Sequence, residues 1–550
     1  MAEGHHFEMW DNLPMTQTTA QVIAQELHSA GVRSVFGHPG GEVVDLIHAF
    51  VSAGIQFVLM GHESAAALAA GTVGQATGVP GVCLATLGPG ACNLTLGVGD
   101  ALLDRHPVLA LSARTATSLA GWHSHQNLEL NKMFAPVTKA SVALHGTGTR
   151  ETLRHAIDIA LTPPRGPVYL SLPGDVATQP DKNSAGAGLP IEPSPPTNQH
   201  ALEEIQAALN RAKRPAAVVG IALDQRKDAP SVRSFLAHTG IPYADTPKTK
   251  GLVDPTADAF LGTCLSASGD ALISEFLRQC DFILGIGFDP VESVHDWHLA
   301  QNYYAVTNAS TEFKTYSPHV QVVGDVSTVL SQLTRDYNAK PEWRAYDGSR
   351  VRASVHAAIT PAVSATNAGL APYHVALVMR EILPPETRLS VDTGSHKLLF
   401  AQAWQTGEPL TYFNSNGLSS MGLGVPGAIA LALLDPARPT VGVAGDGGFG
   451  MMVQELETVN RLGLTPLFVV LCDKALSLIR IPQQLRGYEP SGVDFAAVDW
   501  ATVAEGFGVR GLWARTPEAL AHALTAWRER PQATVLAVQI DETLYCGNSY

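Results

Sequence analysis

A chain of 550 residues is too long for one hydrophobic core, and its length predicts about three or four domains. Its formal net charge of −14 argues against nucleic acid or an acidic membrane surface as a general partner, while leaving room for a local basic pocket. With 45% hydrophobic and 16% charged residues, 50 Gly and 36 Pro, it has the composition of a large α/β enzyme with many tight loops. The six cysteines (Cys83, Cys92, Cys264, Cys280, Cys472, Cys546) form no CxxC pair, which argues against a structural zinc or iron–sulfur site. A reducing, cytoplasmic setting is expected. No run approaches the roughly 18 uninterrupted apolar residues of a membrane span, and residues 1–14 lack the apolar core of a signal peptide.

In chain order, apolar runs at 34–37, 56–59, 81–86, 107–112 and 168–172 read as strands alternating with helical segments. That alternation predicts a parallel sheet covered by helices, a first domain over residues 16–176. Residues 177–199 are rich in Pro, Ser, Gly and Asn and read as a linker. A second α/β unit is expected at 200–337, with strands at 216–219 and 281–286. Residues 338–369 form another polar connection with room for one helix. The third domain is expected at 370–550, with strands at 388–391, 440–444 and 467–473. Between the last two, Met452, Leu456, Val459 and Leu462 have helical spacing. The first and third domains have similar size and pattern, a hint of duplication.

Two acids in the third domain carry the most chemical information. Asp446 lies in Gly445-Asp446-Gly447 just after one apolar run, and Asp473 ends the next. In a parallel strand–helix–strand unit those carboxyl ends lie side by side, where open α/β sheets bind ligands. Two hard oxygen ligands there suit Mg²⁺, and the glycine amides of a helix start, Gly447 and Gly448 among them, suit a diphosphate. A glycine-flanked turn aspartate alone is ordinarily structural; the second acid makes the pair informative.

Gly445-Asp446-Gly447 followed by Cys472-Asp473 resembles the binding motif of thiamine-diphosphate (ThDP) enzymes. That motif ends in two asparagines, replaced here by Cys472 and Asp473. The resemblance implies Asp446, Asp473 and the carbonyl of Ala475 as metal ligands. It extends over the first domain: Val35-Phe36-Gly37-His38-Pro39-Gly40, then His62-Glu63, then Thr86-Leu87-Gly88-Pro89-Gly90-Ala91-Cys92-Asn93. By itself Glu63 is a helix-start acid that stabilises the dipole. The resemblance gives it a specific role, hydrogen-bonding a ring nitrogen of the aminopyrimidine and favouring its imino form. Met421 falls where the family places a large apolar residue under the cofactor, and Ser419 where a carbonyl accepts from the 4′-amino group. Gly394-Ser395-His396 falls at a diphosphate-contacting loop; an ordinary helix cap and a surface histidine are the plain alternatives.

Across its length the chain resembles the acetolactate synthases, particularly the catabolic, flavin-free kind. His125-Gln126 with Pro136-Val137-Thr138-Lys139 resembles their active-site segment, and Phe288-Asp289-Pro290-Val291-Glu292 and Gln483-Gln484-Leu485 resemble further parts. Gln483 matches a glutamine that lines their substrate pocket. The resemblance implies three α/β domains with parallel sheets: pyrimidine-binding, central and diphosphate-binding. It implies decarboxylation of a 2-oxo acid, with pyruvate the expected donor, and carboligation to a second carbonyl compound. It also implies a homodimer or homotetramer with sites at the subunit interface. FAD is not expected, because the middle domain lacks a clear flavin signature. Departures fall near the substrate: Glu42 stands where the catabolic enzymes carry a lysine, and Ser118, Leu119, Ala120, Gly121 and Trp122 replace mostly basic positions. An acid at 42 that faces the pocket repels an acceptor carboxylate; a solvated helix-start residue does not. A non-oxidative 2-oxo acid decarboxylase, a ligase with a less anionic acceptor, and a catalytically silent ThDP-binding subunit remain alternatives.

Overall fold

The computed structural model describes residues 17–119, 125–182, 197–265, 269–293, 302–310, 317–342 and 345–546. Ala120, Gly121 and Trp122 and most of the first linker lie outside the described residues. The strands form three six-stranded sheets, each entirely parallel. The first holds β1 (Ser34–Gly37), β2 (Gln56–Leu59), β3 (Gly81–Ala85), β4 (Val108–Arg114), β5 (Ala140–Ala143) and β6 (Pro167–Pro173), in the order β2-β1-β3-β4-β6-β5. The third holds β13 (Arg388–Val391), β14 (Tyr412–Asn414), β15 (Thr440–Gly445), β16 (Leu467–Cys472), β17 (Arg510–Ala514) and β18 (Thr534–Gln539). Its order, β14-β13-β15-β16-β18-β17, repeats that of the first sheet, the structural counterpart of the similar patterning.

The central sheet holds β7 (Pro215–Val219), β8 (Tyr243–Asp245), β9 (Phe260–Thr263), β10 (Phe282–Ile286), β11 (Tyr303–Thr307) and β12 (Val320–Val323). Its order, β12-β11-β10-β7-β8-β9, reverses between β7 and β10, the doubly wound arrangement. A shallow cleft opens there, and its arginines are already paired: Arg105 with Asp289, and Arg165 and Arg226 with Asp224. The helix Ala345–Ile359 fills the second polar connection and packs on the central sheet, with Arg352 donating to the carbonyls of Ala257 and Phe260. Among the described residues no helix is long and apolar enough to cross a membrane.

The first and third domains meet through two helices rich in small residues. Glu63–Thr77 is buried from Glu63 through Gly74 and stops at Gly78, whose φ of 73° ends it in a left-handed turn. Gly424–Leu434 is apolar on all sides, as a helix buried all round must be. Gly427 of the second helix lies so close to the first that a Cβ there would meet Thr72 Oγ1 at 3.3 Å. The helix read between Asp446 and Asp473 is two helices, Asp446–Met452 and Glu455–Arg461, broken at Val453 and Gln454. The break presents Glu455 to the first domain, where its carboxylate accepts from the N–H groups of Gly61 and His62 at 3.1 and 3.0 Å.

Glu292 closes the space beside β7, accepting from Thr246 Oγ1 at 2.5 Å and from the Ile221 N–H at 2.9 Å. Complete burial, and then the charge of Asp289, push its carboxyl up to about 8. A carboxyl whose pKa is raised on folding adds stability that is present below its unfolded value, about 4.5, and is lost as pH rises through about 8. The apo protein carrying Glu292→Gln, whose amide satisfies both partners, should therefore lose less stability between pH 5 and 8 than the wild type. Denaturant midpoints across that range check this, and parallel curves contradict it.

Candidate active site

The pairing of β15 with β16 places Gly445 opposite Leu471 and brings the ends of both strands together. Asp446 and Asp473 meet there. Asp446 Oδ2 accepts from the N–H groups of Asp473 at 3.0 Å and Lys474 at 2.7 Å; its Oδ1 accepts from the Trp500 indole N–H at 2.7 Å. Asp473 Oδ1 accepts from the Ala475 N–H at 3.1 Å, and its Oδ2 from Ser477 Oγ at 2.5 Å. Lys474 turns the chain just after Asp473, at φ 61°. Burial, then the neighbouring Asp446 charge and Glu542, push the Asp473 carboxyl up to about 7. Two acids held this close repel each other, and a divalent cation relieves the repulsion.

The loop after β13 completes this end of the sheet. The His396 ring lies between Gly394 and Gly445: a Cβ on either would meet His396 Cε1, at 2.6 and 3.4 Å. His396 is buried, and burial lowers its pKa to about 4, so the ring is neutral. Its Nε2 and the Thr393 hydroxyl are buried without partners. Gly447 and Gly448 have no room for side chains: a Cβ on Gly447 would meet Leu476 Cδ2 at 2.9 Å and Met421 Cε at 3.1 Å, and one on Gly448 would run into the Asp392 carboxylate. An open cavity of about 480 Å³ lies against Asp446, walled by Met421, Leu476, Phe495, Val498 and Trp500. All of its walls belong to the third domain. Among the described residues no group of three or more His, Cys, Asp or Glu side chains gathers to hold a metal. Asp446 and Asp473 are thus the two acids available here to a cation.

The loop carrying Ser419 and Met421 is clamped from all three domains. Ser419 is held at φ 55°, with Lys397 Nζ donating to its Oγ and to the Ser415 carbonyl, each at 3.0 Å. From the first domain, Asp100 accepts from Ser415 Oγ, and Asp104 from the N–H groups of Asn416 and Gly417. From the central domain, Lys248 donates to the Asn414 carbonyl at 2.8 Å and lies 3.5 Å from Asp104.

Glu63 is not in that cavity. It sits in the first turn of its helix, with the preceding His62 capping it through Nδ1. Asn93 Nδ2 donates to Glu63 Oε2 at 3.0 Å, while Oε1 faces Gly90, 3.0 Å from where a Cβ there would lie. Gln126, at φ 58°, packs its side chain on Gly88, and His125 beside it is exposed. Gln483 lies on the helix Ser477–Leu485, and its amide bonds both backbone groups of Ser491. The structure thus gathers Asp446, Asp473, Ala475, Gly394, His396, Gly445, Gly447, Gly448 and Met421 at one sheet end, and Glu63, Gln126 and His125 at another. Ser395 opens the helix Ser395–Ala403 and is buried beside His396. The sequence reading missed Trp500, Lys397, Glu455, Asp100, Asp104 and the role of Asn93.

Comparison with known proteins agrees with this architecture. Residues 17–133 match the N-terminal TPP binding domain of thiamine pyrophosphate enzymes, 202–333 their central domain, and 392–538 their C-terminal TPP binding domain. The chain belongs to the thiamine pyrophosphate enzymes. It is similar to the catabolic acetolactate synthase of Raoultella terrigena, 29% identical over 539 residues that cover 95% of each chain. It is likewise similar to acetolactate synthase of Bacillus subtilis, 28% identical over 541 residues covering 95% of this chain and 93% of that one. The large subunit of acetolactate synthase isozyme 2 of Escherichia coli is 29% identical over 544 residues, 95% of each. The chain is thus an acetolactate synthase-like, ThDP-dependent enzyme.

Asp104→Ala would leave Lys248, about 1% exposed, without its carboxylate and strand two loop N–H groups. Breaking a buried ion pair from one side costs about 3–5 kcal/mol. Denaturant unfolding of the variant should show a loss of that order, and Asp104→Ala combined with Lys248→Met should recover part of it. A loss under about 1 kcal/mol would contradict the clamp.

Proposed function

We propose that this enzyme decarboxylates a 2-oxo acid, with pyruvate as the donor, and joins the remaining unit to a second carbonyl compound, using ThDP and Mg²⁺. The observation that carries the reading is the acid pair at the ends of β15 and β16, of which Asp446 lines the cavity, with a neutral histidine nearby whose Nε2 has no partner. Asp446 and Asp473, with the Ala475 carbonyl, would hold the cation. His396 Nε2, Ser395 and the amides at the start of the helix Asp446–Met452 would hold the diphosphate, where a helix N-terminus favours negative charge. Gly394 and Gly445 keep the space around that histidine open. Met421 would lie under the rings, with the Ser419 carbonyl on the 4′-amino group.

When bound, ThDP supplies a carbon nucleophile for the 2-oxo carbonyl and takes up the electrons left as CO₂ departs. The protein's part is to orient and to hold protons. Glu63, kept in place by Asn93, would hold a proton at the pyrimidine ring nitrogen through the oxygen facing Gly90. Gln126, His125 and Gln483 would border the substrate. Because the cavity beside Asp446 has no wall from the first domain, the natural source of Glu63 is a second copy of the chain, in a homodimer or a pair of dimers.

One observation favours a second reading, in which the acceptor lacks a carboxylate. Glu42 does not cap its own helix; its carboxylate turns across to accept from Thr86 Oγ1 at 2.6 Å. Thr86 Cγ2 and Glu63 Oε1 each lie 3.0 Å from the point a Cβ on Gly90 would occupy. Thr86 thus stands between the Glu42 carboxylate and the Glu63 end of the site, and a negative charge on that side opposes a second anion.

Product analysis with pyruvate, ThDP and Mg²⁺ tests both readings. Acetolactate and CO₂ in equal amounts support the 2-oxo acid acceptor. CO₂ with ligation only to an added neutral aldehyde supports the second reading, and no CO₂ from any 2-oxo acid contradicts both. Glu63→Gln should reduce turnover by at least about 10²-fold, as loss of a proton-holding group does, with its unfolding midpoint unchanged. Near-normal turnover would remove Glu63 from this role.

A further inference from the structure

We propose that Trp500 is a positioning residue for Asp446: its indole N–H fixes the carboxylate that faces the cofactor cavity, and so sets how tightly the site takes its divalent cation. The inference rests on the reading of Asp446 as a metal ligand. A carboxylate has about four lone-pair sites. The Asp473 and Lys474 N–H groups occupy both sites on Oδ2. The indole N–H, at 2.7 Å, occupies one on Oδ1, and the Cys472 thiol also bonds the carboxylate. Asp446 and Trp500 are each 8% exposed, and the bond between them is buried at the wall of the cavity.

The ring itself is held from two sides. It meets Phe449 edge to face, with centroids 5.2 Å apart and planes at 86°. It also covers Gly450, where a Cβ would lie 3.4 Å from Trp500 Cη2. Packing therefore aims the N–H before any cation arrives. Phe449 and Gly450 belong to the helix that Asp446 opens, so donor and acceptor share one rigid support. A charge-assisted hydrogen bond to a ligand carboxylate restricts its rotation and fixes where its oxygens point. If the tryptophan were only a packing residue, its ring would matter and its N–H would not.

The test separates ring from N–H. Trp500→Phe keeps an aromatic ring and removes the donor. Replacing Trp500 by benzothienylalanine, the sulfur analogue of tryptophan, keeps the shape as well. Calorimetric titration of the purified apoprotein with ThDP at a series of Mg²⁺ concentrations gives the Mg²⁺ needed for half-maximal binding. Both variants should need roughly 10–100-fold more Mg²⁺, with the apoprotein melting temperature of the benzothienyl form unchanged. An unchanged Mg²⁺ requirement in the benzothienyl form overturns the proposal. Asp446→Ala serves as reference. Wild-type Mg²⁺ dependence in Asp446→Ala means the metal-ligand reading has failed; a loss there with none in the Trp500 variants means only the positioning role has failed.

Discussion

Two neighbouring acids at the ends of β15 and β16, the carboxylate of one accepting from the backbone N–H of the other, are the constraint on which the rest of the site depends. Like charges in a partly buried place are costly, and the chain offsets that cost with directed N–H groups. Asp446 receives three, from Asp473, Lys474 and Trp500. Asp473 receives one N–H and one hydroxyl, and its carboxyl still rises to about 7. Under the proposed function, a bound cation would relieve that residual repulsion.

That arrangement is only useful if the neighbouring loops are equally fixed, and here the three domains cooperate. Asp100 and Asp104 of the first domain, Lys248 of the central domain and Lys397 of the third converge on the loop 414–419. Glu455 performs the reverse service, reaching from the third domain to the turn before Glu63. Each half of the site is thus held by groups from another domain. Burying so many charges favours one relative placement of the domains over alternatives that would leave them unpaired.

The sequence showed the strands that are continuous apolar runs, such as β1, β3, β15 and β16, because burial on both faces leaves that signature. It did not show β8 and β14, three residues each, or β5 and β17, which are half-buried and carry little contrast. β18 is fully buried at its centre, but Val535 to Val538 is a run too short to tell strand from helix by pattern. At the site, Asp446, Asp473 and Glu63 were legible because each follows an apolar run and falls within a recognisable motif. Their partners were not. Glu455 meets Gly61 across 394 positions, and Trp500 meets Asp446 across 54, separations to which no spacing rule applies. Glu42 was legible as an unexpected charge, while the direction in which it turns needed coordinates.

The central claim is that Glu63 of one copy and the acid pair of another build each active site. Co-expression of Glu63→Gln with Asp446→Ala tests it most directly. If sites form between copies, random pairing yields hybrid dimers with one intact site each, and activity should return to about a quarter of the wild-type level although each variant alone is inactive. If each chain builds its own site, every site in the mixture carries a lesion and no activity returns, which would contradict the account.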